Sequence, residues 1–248
     1  DELAMGEDSP TDTVHDTFQL AVHGDRPIGR PVGGTAQAIR EVERADVWEH
    51  YQAHYCPSSL IVAAAGNVDH ESVCERVQAA LEGSPWDAGS AASPWPRRST
   101  TVTPIADHDK DITRRRDVTQ AHVIIGCEGL SATDPAGPTM SVLLSVLGGS
   151  MSSRLFQEVR EKRGLAYTTY AFDVAYSDTG TFGMYAGCSP DKVDEVEAIM
   201  RAQLEDLAAD GPTEEEMTRV RGQVRGGVVL GLEDNWSRMM RLGRSEII

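Results

Sequence analysis

The segment that most constrains this chain runs from Gly83 to about Asp117. It opens GSPWDAGSAASPWPRRST, rich in Pro, Ser, Gly and Ala, and ends in the charged stretch DHDKDITRRRD. Neither part carries a helical or strand period of apolar residues, so it reads as a linker. The chain must then fold as two patterned halves. The sequence predicts a first part over residues 1–83, a linker over 84–117 and a second part over 118–248. The Arg114-Arg115-Arg116 run within the linker reads as a solvated basic face.

In the first half, Leu3 and Met5, then Val14, Phe18 and Val22, give a broken helical stripe interrupted at Asp8-Ser9-Pro10. HGDRPIGRPVGG, from His23 to Gly34, is a Gly- and Pro-rich loop. A helix is predicted over Arg44–Tyr55, then a buried strand over Leu60–Gly66. Asp69 is placed to cap a helix over His70–Leu81.

In the second half the pattern restarts with a strand over Ala121–Gly126. Helices are predicted over Gly137–Leu147 and Met151–Lys162. Two strands, Tyr167–Tyr176 and Gly180–Gly187, form a hairpin around Ser177-Asp178-Thr179. A helix runs from Pro190 to about Ala209, and another follows Pro212 with a capping-box pair at Thr213 and Glu216. Strands and long helices are mixed without a strict parallel βαβ unit. The fold class is α+β: two sheet-plus-helices domains, each sheet covered on one face by helices. The pattern suggests that the first domain lacks its beginning and the second its end, in keeping with a chain that opens on Asp1 rather than Met.

The net charge of −16 is shared by both halves and argues against nucleic acid or an anionic membrane as the principal partner. No apolar run approaches the roughly 18 residues of a membrane-spanning helix. Cys56, Cys74, Cys127 and Cys188 form no C-x-x-C pair and sit beside apolar residues. They read as free buried thiols, which points to a reducing, cytoplasmic setting.

Residue chemistry alone gives few sites. His50 and His54 share one helix face, as zinc ligands must, but the residue after His50 is Tyr51 rather than the Glu of a zinc-protease helix. His70 lies in an acidic helix start, and His122 lies in a strand as a packed or solvent-facing ring. Gly148-Gly149 lacks the partners of a phosphate loop. Arg160 and Tyr167, on residue chemistry alone, read as a helix-end arginine in a surface pair and a core tyrosine beginning a strand.

Three stretches, in order, carry a resemblance: DELAMGEDSPTDTVHDTF with HGDRPIGRPVGG, then HYCPSSLIVAAAGNVDHE, then GGSMSSRLFQEVREKRGLAYTTYAFDVAYSDTGTFGMYAG. Together they resemble peptidase family M16, the inverzincin zinc metallopeptidases typified by mitochondrial processing peptidase, pitrilysin and insulin-degrading enzyme. The bacterial processing-peptidase-like members are the most similar. The resemblance covers essentially the whole chain.

The resemblance implies a Zn²⁺-dependent metalloendopeptidase that hydrolyses peptides or presequence-like unfolded segments in a chamber between two halves. The family holds zinc with H-x-x-E-H and a later Glu. Glu2 matches that later ligand, and Glu7 is an acid near it. No H-x-x-E-H occurs in these 248 residues, so the resemblance places the other ligands and the general-base Glu outside them. In VREKRGLAY, Arg160 and Tyr167 match the pair that the family's second half offers to substrate. An Arg binds a peptide carbonyl or carboxylate, and a Tyr hydroxyl stabilises an oxyanion. Gly148 and Gly149 then read as a loop that substrate approaches closely. The implied partners are a peptide substrate, basic peptides suiting the acidic charge, and either the remainder of the same protein or a second M16 subunit in a homo- or heterodimer. The other reading the resemblance allows is a catalytically inactive homologue acting as a structural or substrate-binding subunit.

Overall fold

The computed structural model describes residues 2–84 and 110–247. Most of the predicted 84–117 linker lies outside the described residues. Along the chain run α1 (Glu2–Asp8), α2 (Pro10–His23), α3 (Ala36–Glu41), α4 (Arg44–His54) and α5 (His70–Leu81). Then come β1 (Ala121–Glu128), α6 (Gly137–Leu147), a π-helical turn (Phe156–Glu161), β2 (Ala166–Ala175) and β3 (Gly180–Cys188). α7 (Val193–Asp210), α8 (Glu214–Gly231) and α9 (Asn235–Ile247) follow. The described residues divide into two compact units. One takes residues up to Ala36 and from 110 to Gly222; the other takes those from Gln37 to 84 and from Gln223 onward.

The first unit is built on a three-stranded antiparallel sheet, order β1-β3-β2. The central strand, β3, is buried along its whole length. Strand alternation splits its side chains between two faces. Phe182, Met184, Ala186 and Cys188 join a core with Leu147 of α6, Val159 of the π-turn, Val196 and Met200 of α7 and Val220 of α8. The opposite face, which the sequence assigned no helix, is covered by α2. There Gln19 donates to the Thr181 hydroxyl (3.3 Å), His15 meets the Tyr170 hydroxyl (2.9 Å), and His122 meets the Tyr185 hydroxyl (2.8 Å). His122 is thus packed, as one of its two expected settings. Gly126 makes the approach possible: a Cβ there would lie 2.6 Å from Phe18 Cζ and 2.1 Å from the Phe182 carbonyl oxygen.

α2 starts where Pro10 occupies the first turn and the Ser9 hydroxyl accepts from Asp12 N–H. The hairpin between β2 and β3 closes through Tyr176 N–H donating to the Thr179 carbonyl (2.9 Å). The predicted Met151–Lys162 helix is much shorter. Its regular part starts only at Arg154 and is wound as a π-turn from Phe156.

In the second unit α5 is capped by Asp69, which accepts from Ser72 N–H (2.9 Å). Asp234 caps α9 in the same way, through Ser237 N–H (2.8 Å). The predicted buried strand Leu60–Gly66 is neither paired nor buried here: Leu60 is 42% and Val62 52% exposed. Among the described residues no second strand lies beside it, and a strand without a neighbour leaves its backbone polar groups to solvent. Its alternation survives, with Ile61 and Ala63 half-buried and Val62 and Ala64 exposed. Ile61, Val73, Val77, Leu81 and Leu242 line an apolar groove of about 930 Å³ in this unit. Cys56 is the one buried residue among those described in it. All four cysteines are free, but only Cys56 and Cys188 are buried; Cys74 and Cys127 are exposed, which corrects that part of the sequence reading.

Candidate functional site

The structure brings Arg160 and Tyr167 into direct contact in the first unit. Arg160 lies in the π-turn, whose i+5 bond runs from Lys162 N–H to the Gln157 carbonyl (2.9 Å). Leu155 and Val159 on the same segment are fully buried and fix it to the core. Gly164, at φ +63°, lets the chain reverse into β2. β2 then begins with an irregularity. Ala166 pairs with Cys188 and Thr168 with Gly187, so Tyr167 is an extra residue opposite neither. A bulge of this kind re-aims a side chain. Ala166 and Thr169 are buried, whereas Tyr167 is 74% exposed.

The Arg160 guanidinium lies 4.5 Å from the Tyr167 ring centre and 4.8 Å from that of Phe156. Its Nη1 donates to the Tyr167 carbonyl (3.0 Å). Its charge is nearly uncompensated, the closest carboxylate being Glu161 at 3.9 Å. The neighbouring cations are spoken for, because Lys162 and Arg163 both donate to Glu158. Those bonds hold the Glu158 carboxyl below its ordinary range.

A second ion pair anchors the segment from beneath. Arg154 Nε and Nη2 donate to the two Glu216 carboxylate oxygens at 2.7 and 2.9 Å, and Nη2 also reaches the Gly211 carbonyl (3.2 Å). Glu216 completes the predicted capping box by accepting from Thr213 N–H (2.7 Å) and donating its own N–H to the Thr213 hydroxyl. The Arg154 hydrogen bonds, with those from Thr213, bring its carboxyl down to about 2.

Gly148 and Gly149 end α6 near β2. Gly148 is buried, and a Cβ there would fall 2.1 Å from Ala171 N, so packing against β2 accounts for it. Gly149 is exposed. Glu2 is the exposed first residue of α1 and makes no hydrogen bond or ion pair with Arg160 or Tyr167. Glu7 is exposed too, its carbonyl accepting from Arg116. The His50 and His54 rings lie 4.2 Å apart, tilted to one another, on exposed α4, and His70 lies 3.6 Å from Cys74 Sγ.

Among the described residues no three His, Cys, Asp or Glu side chains are grouped to hold a metal. Zinc sites take three or four such donors. Glu2 alone does not make a complete site.

Two features of the site escaped the sequence reading. Phe156 was readable in principle, since it stands four residues before Arg160 and i,i+4 neighbours meet on a helix. The bulge at Tyr167 was not, because apolar alternation does not register one unpaired residue.

Residues 41–224 match the family model described as the peptidase M16 inactive domain. Over 248 residues the chain is 46% identical to an uncharacterized zinc protease of Streptomyces coelicolor, covering 100% of this chain and 54% of that protein. It is 31% identical over 248 residues to one of Bacillus subtilis, covering 100% and 58%. The chain thus spans just over half the length of these curated relatives. Among solved structures, a protease from Helicobacter pylori superposes with a TM-score of 0.78 at 18% identity, covering 93% of this chain and 55% of that one. A peptidase M16 inactive domain from Pseudomonas fluorescens gives 0.75 at 20%, covering 97% and 56%. At these identities the structural likeness concerns the fold.

Proposed function

Because this chain belongs to the peptidase M16 family, we propose that it supplies the substrate-holding part of a zinc-dependent metalloendopeptidase. The substrates are peptides or unfolded, presequence-like segments, taken into a chamber between two halves. In this reading residues 1–83 belong to the zinc-site half and 118–248 to the other, joined by 84–117. The packing of α2 on the sheet is then a contact between those halves.

One observation carries the reading: an arginine whose only ion pair among the described residues is a long one, to Glu161, lies against an exposed tyrosine that a strand bulge sets apart from the sheet. The guanidinium donors left over from the Tyr167 carbonyl suit a peptide carbonyl or carboxylate. The Tyr167 hydroxyl suits an oxygen on which negative charge develops. Gly149 borders the substrate path, and Gly148 sets the height of that loop over β2. Glu2 is one zinc ligand; the remaining donors are not among the described residues. The partner is the rest of the same protein or a second M16 subunit, and the setting is cytoplasmic. No helix of the described residues is long and apolar enough to cross a membrane.

The description of the matched family model as an inactive domain favours a second reading, a partner subunit that binds substrate without cleaving it. Zinc stoichiometry of the intact protein, with cleavage of a quenched fluorescent peptide before and after EDTA, separates the two. The peptidase reading expects about one zinc per active site and cleavage that EDTA abolishes. Absence of both bound zinc and cleavage supports the partner reading instead.

A further inference from the structure

The contacts around Arg160 form a chain of dependence. Tyr167 is exposed, stands in a bulge, and its side chain is in contact with the Arg160 guanidinium. Arg160 has one long ion pair, to Glu161 at 3.9 Å, and one hydrogen bond, to a backbone carbonyl. A long arginine so lightly held samples many rotamers and loses that freedom when it binds. What restrains it on its other side is the Phe156 ring, 4.8 Å from Cζ. Phe156 and Tyr167 share no ring contact, so the guanidinium alone bridges them. Phe156 is itself half-buried, on a π-turn pinned by fully buried Leu155 and Val159. Turns of this winding concentrate at functional sites.

We infer that Phe156 is a positioning residue, which holds the Arg160 guanidinium against Tyr167 so that a peptide carbonyl or carboxylate meets both donors already arranged. This rests on the reading of Arg160 and Tyr167 as the substrate-holding pair. Phe156 touches no reacting atom; it acts through Arg160 by a cation–π contact. Its loss therefore weakens substrate capture and leaves the chemical step nearly as it was.

The test compares Phe156→Leu and Phe156→Tyr in the intact protein, with zinc content and thermal midpoint confirmed as wild type. Against a quenched fluorescent peptide, Phe156→Leu is expected to raise KM by about 2- to 5-fold, the size of an exposed cation–π contact. kcat should change less, and Phe156→Tyr, which keeps the ring, should restore KM. A second readout needs no activity: the side-chain NMR signals of Arg160, identified by their loss in Arg160→Lys. In wild type and Phe156→Tyr these signals should be displaced by the flanking rings, and in Phe156→Leu they should move towards free-arginine positions. Unchanged Arg160 signals in Phe156→Leu overturn the inference. So does a fall in kcat at constant KM. If the wild-type protein binds zinc but cleaves no peptide, the peptidase reading fails, and the NMR comparison still decides the role of Phe156.

Discussion

At the scale of the residue, the most consequential pairing beneath the site is Arg154 with Glu216. It is a bidentate pair with both side chains mostly buried, and it joins the segment before the π-turn to the first turn of α8. Glu216 ionises far below its ordinary 4.5, at about 2, chiefly because Arg154 donates to it. A carboxyl with a depressed native pKa adds stability above its unfolded pKa and loses it as pH falls through the native one. The stabilisation is therefore complete above about pH 4.5 and gone near pH 2. Glu216→Gln should cost about 1–3 kcal/mol at pH 7, where it leaves a half-buried arginine poorly paired. Urea unfolding of wild type and variant at pH 7 and at pH 3 checks this. The difference between them should shrink at pH 3, and an equal difference at both would refute the assignment.

At the scale of the element, the site is the product of two irregularities on a regular frame. The frame was legible. Asp69 before α5 and the Thr213/Glu216 box before α8 are local signals, and local hydrogen bonds fulfil them. The irregularities were not legible. Whether Phe156–Glu161 winds as α or π depends on how Leu155 and Val159 reach the core, which is a tertiary matter. The bulge at Tyr167 is one residue of register against β3, set by pairing between segments. Residues 60–66 show the reverse case. Their apolar content predicts a strand, but strand pairing needs a neighbour that no period within the segment reveals. Close packing between elements makes its own prediction. Gly148→Ala would place a methyl group against the backbone of β2, 2.1 Å from Ala171 N. It should force α6 and β2 apart at a cost of about 1–3 kcal/mol. A lowered urea midpoint with an unchanged slope is the expected signature, and a midpoint equal to wild type would show that α6 yields freely.

At the scale of the molecule, the two units differ in what they bury. The first has a continuous core on one face of its sheet and α2 on the other. Among the described residues of the second, Cys56 alone is buried, and apolar side chains such as Trp236 and Val62 remain exposed. The chain covers just over half the length of the Streptomyces coelicolor and Bacillus subtilis relatives. The resemblance found in the sequence placed the chain in its family and picked out Arg160 and Tyr167. It gave no account of why that tyrosine stands clear of its sheet, which only the bulge explains. Arg160 and Tyr167 are proposed to hold substrate for peptide-bond hydrolysis. The most direct measurement is kcat/KM of the intact protein for a quenched fluorescent peptide, in wild type, Arg160→Ala and Tyr167→Phe, at matched zinc content. A fall of about tenfold or more is expected in each variant, carried mainly by KM for Arg160→Ala and by kcat for Tyr167→Phe. Wild-type kcat/KM in both variants would contradict it.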